Sequence, residues 1–305
     1  MTWTAFFLIA ASATFHAAWN LLAKKYRMTM PFYALMCATA ALAFLNVQFW
    51  TPVPVWHMPA RFYLSLAGML VSEGCYCTGM MISYRRMDMS SAYPVMRALP
   101  LLLTVAVTAV FGIGKPLTLL TVCGMVLVFC GCMSMPLASF RQFDWRTYCK
   151  SDMLFLLLAA CGTTGYTIFD SISLGIVREA VAGQGISPGV IAVSYYSTRG
   201  IFLSSSLMLC AAAIPGQRRH FGEIWRECRW MPPIAGICGS FTYLLVLSAM
   251  IFVSNVSFVQ VFRQFGLLIG MLAGIIILKE KGSLPKYVGT ALIIIGLILS
   301  VLKVG

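Results

Sequence analysis

Apolar runs of about 20 residues recur along the whole chain, separated by short polar breaks. Each run is long enough to cross a hydrocarbon core of about 30 Å. They predict ten helical spans, at 3–23, 31–50, 61–84, 91–112, 117–135, 152–173, 189–214, 231–251, 255–278 and 284–303. The runs lack the alternation of a barrel strand, and in lipid a helix satisfies its own backbone polar groups. Pro31, Pro52, Pro116, Pro136, Pro188, Pro215 and Pro232 fall at or near the predicted boundaries, where proline is tolerated. The first run, from Trp3, has no basic region before it and reads as a retained span rather than a cleaved signal peptide.

The pattern is written twice. Arg85 to Asp88 leads into Ser91-Ala-Tyr93-Pro94-Val-Met-Arg97-Ala-Leu-Pro100, then a break at Gly112 to Pro116, then a run carrying Gly124 and Gly131. Val261-Phe-Arg263-Gln-Phe-Gly266 stands 166 residues after the equivalent Val95 to Pro100 segment. The second break is Lys279 to Ser283, and Gly289 and Gly296 repeat the seven-residue glycine spacing. A weaker echo links His16-Ala-Ala-Trp19-Asn20 to Thr163-Thr-Gly-Tyr166-Thr167. The chain therefore divides into a first repeat, 1–135, a linker, 136–151, and a second repeat, 152–305. Five spans per repeat force the halves into opposite orientations, the inverted arrangement of many transporters.

Composition agrees with this all-α polytopic membrane fold. Mean hydropathy is +0.87, and 60% of residues are hydrophobic against 10% charged, whereas soluble domains carry about 25% charged residues. The net charge of +13 does not point to nucleic acid, because the basic residues gather in short connections. Fifteen of the 22 Lys and Arg lie in or beside the connections after odd-numbered spans, and four lie on the other side. The positive-inside rule then places the odd connections in the cytoplasm and both termini outside, in a plasma (inner) membrane. Cys149 and Cys228 fall in those same connections, which suits a reducing compartment. Cys75/Cys77 and Cys130/Cys132 are two positions apart on a helix and point to different faces, so they read as packing residues rather than metal ligands.

The segments His16 to Asn20, Ser91 to Pro94 with Arg97 and Pro100, and Leu278-Lys-Glu280-Lys into Gly289 and Gly296 carry a resemblance. Over essentially its full length the chain resembles the drug/metabolite transporter superfamily, with two EamA-type repeats. The resemblance implies ten helices in two inverted repeats around a central cavity, lined largely by the third, fourth, eighth and ninth. It also implies that the fifth and tenth pack together away from that cavity. Gly112 to Lys115 replaces the family's glycine-glutamate at the end of the fourth helix, whereas Glu280 keeps the second copy. The resemblance implies cytoplasmic termini, opposite to the loop charges.

Three basic residues, Arg97, Arg199 and Arg263, fall inside spans, with Glu73 the acid nearest the middle of one. An ionisable group at the centre of a membrane helix costs about 2.5–3.5 kcal/mol on the insertion scale, so each should face the protein interior or a wet cavity. One reading is a substrate site of net positive charge: the arginine fork suits carboxylate, phosphate or phosphonate, and Glu73 holds an ammonium or carries a coupling proton. The other reading is an internal Glu73–arginine ion pair that locks helices together. His16, Trp19 and Asn20 on the first span, with Tyr76, Tyr93 and Tyr243, complete the candidate substrate-binding set. Tyr166, Tyr195 and Tyr196 offer further hydroxyls and ring faces. Asp170 reads as a polar group near a span end. No nucleophile elbow, metal-spaced His/Cys set or phosphate loop is present in the sequence, so neither an enzyme nor a cofactor is expected.

The expected function is secondary transport of a small anionic or zwitterionic metabolite, such as an amino acid or phosphonate-like solute, by a monomer in the bilayer. Export of hydrophobic or quaternary cations is the alternative within transport, resting on Glu73 and the aromatic residues. A lipid-linked flippase or membrane enzyme is the alternative outside it.

Overall fold

The computed structural model describes residues 3–25, 29–86, 89–134, 137, 139–142, 153–264, 266 and 283–301. Helices run over Trp3–Lys25 (α1), Met30–Ala43 (α2), Val47–Trp50 (α3), Ala60–Arg86 (α4), Met89–Val110 (α5) and Leu119–Ser134 (α6). They continue with Met153–Ala180 (α7), Pro188–Ala213 (α8), Pro215–Glu227 (α9), Met231–Met250 (α10), Ser257–Phe262 (α11) and Leu284–Val301 (α12). No strand occurs among the described residues.

Among the described residues three helical stretches are long and apolar enough to cross a membrane, Met30–Trp50, Met153–Ala180 and Met231–Met250, or four if α8 and α9 count as one bent element. Large apolar side chains point outward, with Phe49 85%, Leu119 80% and Val110 78% exposed. A soluble monomer rarely presents so much apolar surface, so the outer face is one that lipid covers.

Local sequence explains the starts of α2 and α8. The side chain of Thr29 accepts the Phe32 amide at 3.4 Å, with Pro31 in the first turn. That of Ser187 accepts the Val190 amide at 3.4 Å, with Pro188 at the first helical position. Both use a hydroxyl cap followed by a proline whose missing N–H would have had no helical partner.

Several boundaries differ from the hydropathy reading. The second span breaks at 44–46, between α2 and α3. The sixth runs on to Ala180 instead of stopping at 173, and the added turns bury Leu174, Ile176 and Val177. The stretch 215–230, read as a linker, contains α9, set at 108° to α8. Of the ninth span, residues 255–264 and 266 are described, with α11 over Ser257–Phe262.

The main helix contacts are α4 with α7, α6 with α12, α1 with α10, α2 with both α8 and α10, and α5 with α7 and α6; α5 also touches α11. Glycine permits the closest approaches. A Cβ on Gly124 would stand 2.7 Å from the Gly296 carbonyl oxygen, and one on Gly131 2.6 Å from that of Gly289. The seven-residue glycine spacings of α6 and α12 are thus the seam between them. A Cβ on Gly162 of α7 would stand 2.3 Å from the Tyr76 amide nitrogen of α4. The turn after α5 uses Gly112 (φ 62°) and Gly114 (φ 79°) in the left-handed region. It docks on the break before α11: Lys115 N–H donates to the Ser254 carbonyl at 2.9 Å, and Asn255 Nδ2 donates to the carbonyls of Ile113 and Lys115.

Replacing Gly162 by Val forces α4 and α7 apart and is expected to cost about 1–3 kcal/mol or more. Gly175, on the same helix with no atom within 4 Å of an added Cβ, should tolerate Ala with a neutral or slightly positive effect. Thermal unfolding of the two variants in one detergent checks this. Equal melting points would refute the close-contact account.

Candidate functional site

Between α2, α4, α7, α8 and α10 lies a buried charged cluster. Arg199 of α8 donates from Nη2 to Glu73 Oε2 of α4 at 2.9 Å. Its Nε donates to Asp170 Oδ1 and Oδ2 of α7 at 3.0 and 3.2 Å. The Tyr33 hydroxyl of α2 donates to Glu73 Oε1 at 2.5 Å. Tyr195 of α8, one turn before Arg199, donates to Asp170 Oδ1 at 2.5 Å, and Tyr243 of α10 donates to Oδ2. The face of the Tyr243 ring lies 4.5 Å from the guanidinium carbon. Glu73, Asp170 and Arg199 are 3%, 0% and 5% exposed.

Burying charges is costly, and a buried ion pair persists where further hydrogen bonds occupy its remaining lone pairs. Here both oxygens of each carboxylate have a donor, and three of the donors are tyrosine or arginine groups on Asp170 alone. With all three groups ionised, two carboxylates face one guanidinium and the cluster carries one net negative charge.

Asp170 corrects the sequence reading. It is not a terminal polar group but lies well inside α7, on a polar face with Thr163, Tyr166, Thr167 and Ser173. Those three- and four-residue spacings were available in the sequence, but the predicted span end at 173 hid them. Tyr33 was overlooked because a tyrosine near a span start reads as an interface anchor. Arg199 also needs correction. Both acids engage it, so it does not add to a net positive cavity; its arrangement is the internal ion pair.

Arg263 differs. It follows α11, is half-buried, and its Nη1 is buried without a hydrogen-bond partner. It lies among Tyr166, Tyr243 and Tyr76. Their rings meet edge to face, with centroids 5.8 Å apart for Tyr76–Tyr166 and 6.0 Å for Tyr166–Tyr243. One turn earlier, Gln260 Nε2 donates to Thr167 Oγ1 at 2.7 Å, tying α11 to α7, and Gln264 Nε2 donates back to the Gln260 carbonyl at 3.2 Å. Tyr243 therefore links the two centres, giving its hydroxyl to Asp170 and meeting edge to face the ring of Tyr166, another of the tyrosines near Arg263.

Of the residues singled out from sequence, Glu73, Arg199, Arg263, Tyr76 and Tyr243 come together here. His16, Trp19 and Asn20 lie on α1, and Tyr93 and Arg97 on α5, but their side chains lie outside the described residues. Among the described residues no group of three or more His, Cys, Asp or Glu could hold a metal ion. A broad depression of about 870 Å³ lies elsewhere, at the α7–α8 connection around Gly183, Gly185 and Pro188.

Removing the cation that both carboxylates engage should be costly. Arg199→Met leaves two buried carboxylates uncompensated and is expected to lose about 3–5 kcal/mol. Tyr33→Phe removes one donor from Glu73 and should lose about 1–3 kcal/mol. Thermal unfolding checks the order, and an Arg199→Met protein as stable as the parent would contradict the geometry.

No family model and no curated protein matches this chain. Among solved structures it is similar to a chain described as "Crystal structure of protein", at 14% identity and a TM-score of 0.66, over 99% of this chain and 97% of that one. The likeness shows a shared fold across nearly the whole length.

Proposed function

We propose that the chain is a secondary transporter of a small zwitterionic or anionic metabolite, of the drug/metabolite type with two EamA-like repeats. On this reading ten spans form two inverted five-helix halves in a plasma membrane. The helix pairing supports it. If α2 with α3 is the second span and α4, α5 and α6 the next three, α7, α8, α10, α11 and α12 correspond to spans six to ten. Exchanging the halves then turns the α1–α10 contact into α7–α4, and maps the α2–α8, α5–α11 and α6–α12 contacts each onto itself. Two similar halves related by a pseudo-two-fold axis produce this pairing.

The observation that carries the substrate class is the unpartnered, buried Nη1 of Arg263. A buried guanidinium nitrogen with no acceptor is costly to leave, and a solute carboxylate or phosphonate supplies one. Beside it, the rings of Tyr76 and Tyr166 suit an ammonium pole. A zwitterion such as an amino acid or aminophosphonate has both poles. The two halves would rock about this point, exposing it to each side in turn.

One observation favours a second reading. The excess of carboxylates over guanidinium at Arg199, next to three tyrosines, would also suit an organic cation. A thermal-shift screen of amino acids, phosphonates, sugar phosphates and quaternary amines, followed by uptake into proteoliposomes, separates the two. For a zwitterion or anion, Arg263→Gln should reduce uptake at least about tenfold, the loss of one charge-assisted hydrogen bond, with little change in melting temperature. Unchanged uptake would remove Arg263 from the site, and stabilisation by quaternary amines alone would favour the cation.

A further inference from the structure

Helix α9 has a face that the transport reading does not use. Its sequence, Pro-Gly-Gln-Arg-Arg-His-Phe-Gly-Glu-Ile-Trp-Arg-Glu, is amphipathic. Ile224 is buried and Phe221 half-buried, and they pack into the core cluster that holds Phe32 and Tyr33 of α2. The opposite side exposes Arg218, Arg219 and Arg226, while Trp225, 71% exposed, flanks Phe221 at the edge of the apolar side. Arg229 and Trp230, just beyond the helix, are also exposed, and the Arg229 guanidinium lies 5.8 Å from the Trp230 ring centroid.

The placement of this helix follows from α8. With 26 residues at about 1.5 Å each, α8 is long enough to cross the hydrocarbon by itself. The chain then turns through 108°, so α9 runs nearly along the membrane plane at the end of a span. Four arginines exclude it from the hydrocarbon, while two exposed tryptophans suit the headgroup level. Among the described residues no carboxylate pairs with any of the four arginines; Glu223 is engaged by His220 at 2.5 Å. Arg218 donates through Nε to the Ala212 carbonyl, which fixes the bend.

We propose that α9 with Arg229 and Trp230 is an interfacial helix that binds anionic phospholipid headgroups. The arginine forks take the phosphates, and Trp225 and Trp230 sit between headgroup and acyl chain. Charge complementarity selects the occupant: the four arginines outnumber Glu223 and Glu227 on this segment, and zwitterionic headgroups offer no net attraction to the resulting positive surface. Because α9 packs against the segment carrying Tyr33, the donor to Glu73, the bound lipid also steadies one wall of the buried cluster.

The test uses full-length protein, delipidated in a neutral detergent and titrated with brominated phosphatidylglycerol or brominated phosphatidylcholine as quenchers of tryptophan fluorescence. Each basic residue near an anionic surface is worth about fivefold in affinity, so phosphatidylglycerol should quench with at least fivefold higher apparent affinity. Trp225→Phe with Trp230→Phe should remove most of the selective quenching. Arg218→Gln, Arg219→Gln, Arg226→Gln and Arg229→Gln together should abolish the preference. The two pairs, Arg218/Arg219 and Arg226/Arg229, made separately should each reduce it, and they serve if the fourfold variant does not fold. Equal quenching by both lipids, selective quenching that survives loss of the two tryptophans, or a preference unchanged by the arginine substitutions would each overturn the proposal.

Discussion

One guanidinium held between two buried carboxylates is the constraint on which this structure depends. Arg199 reaches Glu73 on one side and Asp170 on the other, and tyrosines from α2, α8 and α10 occupy the remaining acceptor positions. Each of these groups would be costly alone in a membrane interior. Together they satisfy one another and fix the relative positions of five helices. The engagement is also what separates the roles of the two arginines. Arg199 is committed to the protein, while Arg263, among three tyrosines, retains a nitrogen with no acceptor.

The cluster can form because α4 and α7 lie unusually close. Gly162 lets the α7 backbone approach that of Tyr76, and Gly79 lets α4 approach Ala159 in the same seam. Glu73 and Asp170 are thereby brought within reach of a single side chain from α8. The glycine seam of α6 and α12 is the second such contact. Helix association in lipid lacks the hydrophobic drive available in water, so close backbone packing and buried polar contacts provide much of the cohesion.

Much of this was legible in the sequence, and the gaps have physical causes. Glu73, Arg199 and Arg263 stood out because an ionisable residue inside an apolar run needs a reason to be there. The seam of α6 and α12 was implied by the family resemblance, and the spaced glycines suited it. Asp170 escaped because hydropathy marks where apolarity ends, not where a helix ends, and α7 continues past that point to Ala180. α9 escaped for the converse reason: its arginines end the apolar run, although Phe221, Ile224 and Trp225 keep helical spacing. Which acid would meet which arginine was not legible at all. That depends on the approach of helices far apart in the chain, as with Glu73 and Arg199, 126 residues apart.

The central claim is that the charges of Arg199 and Asp170 act as one unit, and a double-mutant cycle on thermal unfolding tests it most directly. Asp170→Asn, Arg199→Met and the double variant would be compared with the parent in one detergent. The account predicts strong coupling, with the double variant more stable than Arg199→Met alone by roughly 1–3 kcal/mol, because neutralising the acid relieves the uncompensated charge. A double variant whose loss equals the sum of the two single losses would contradict it.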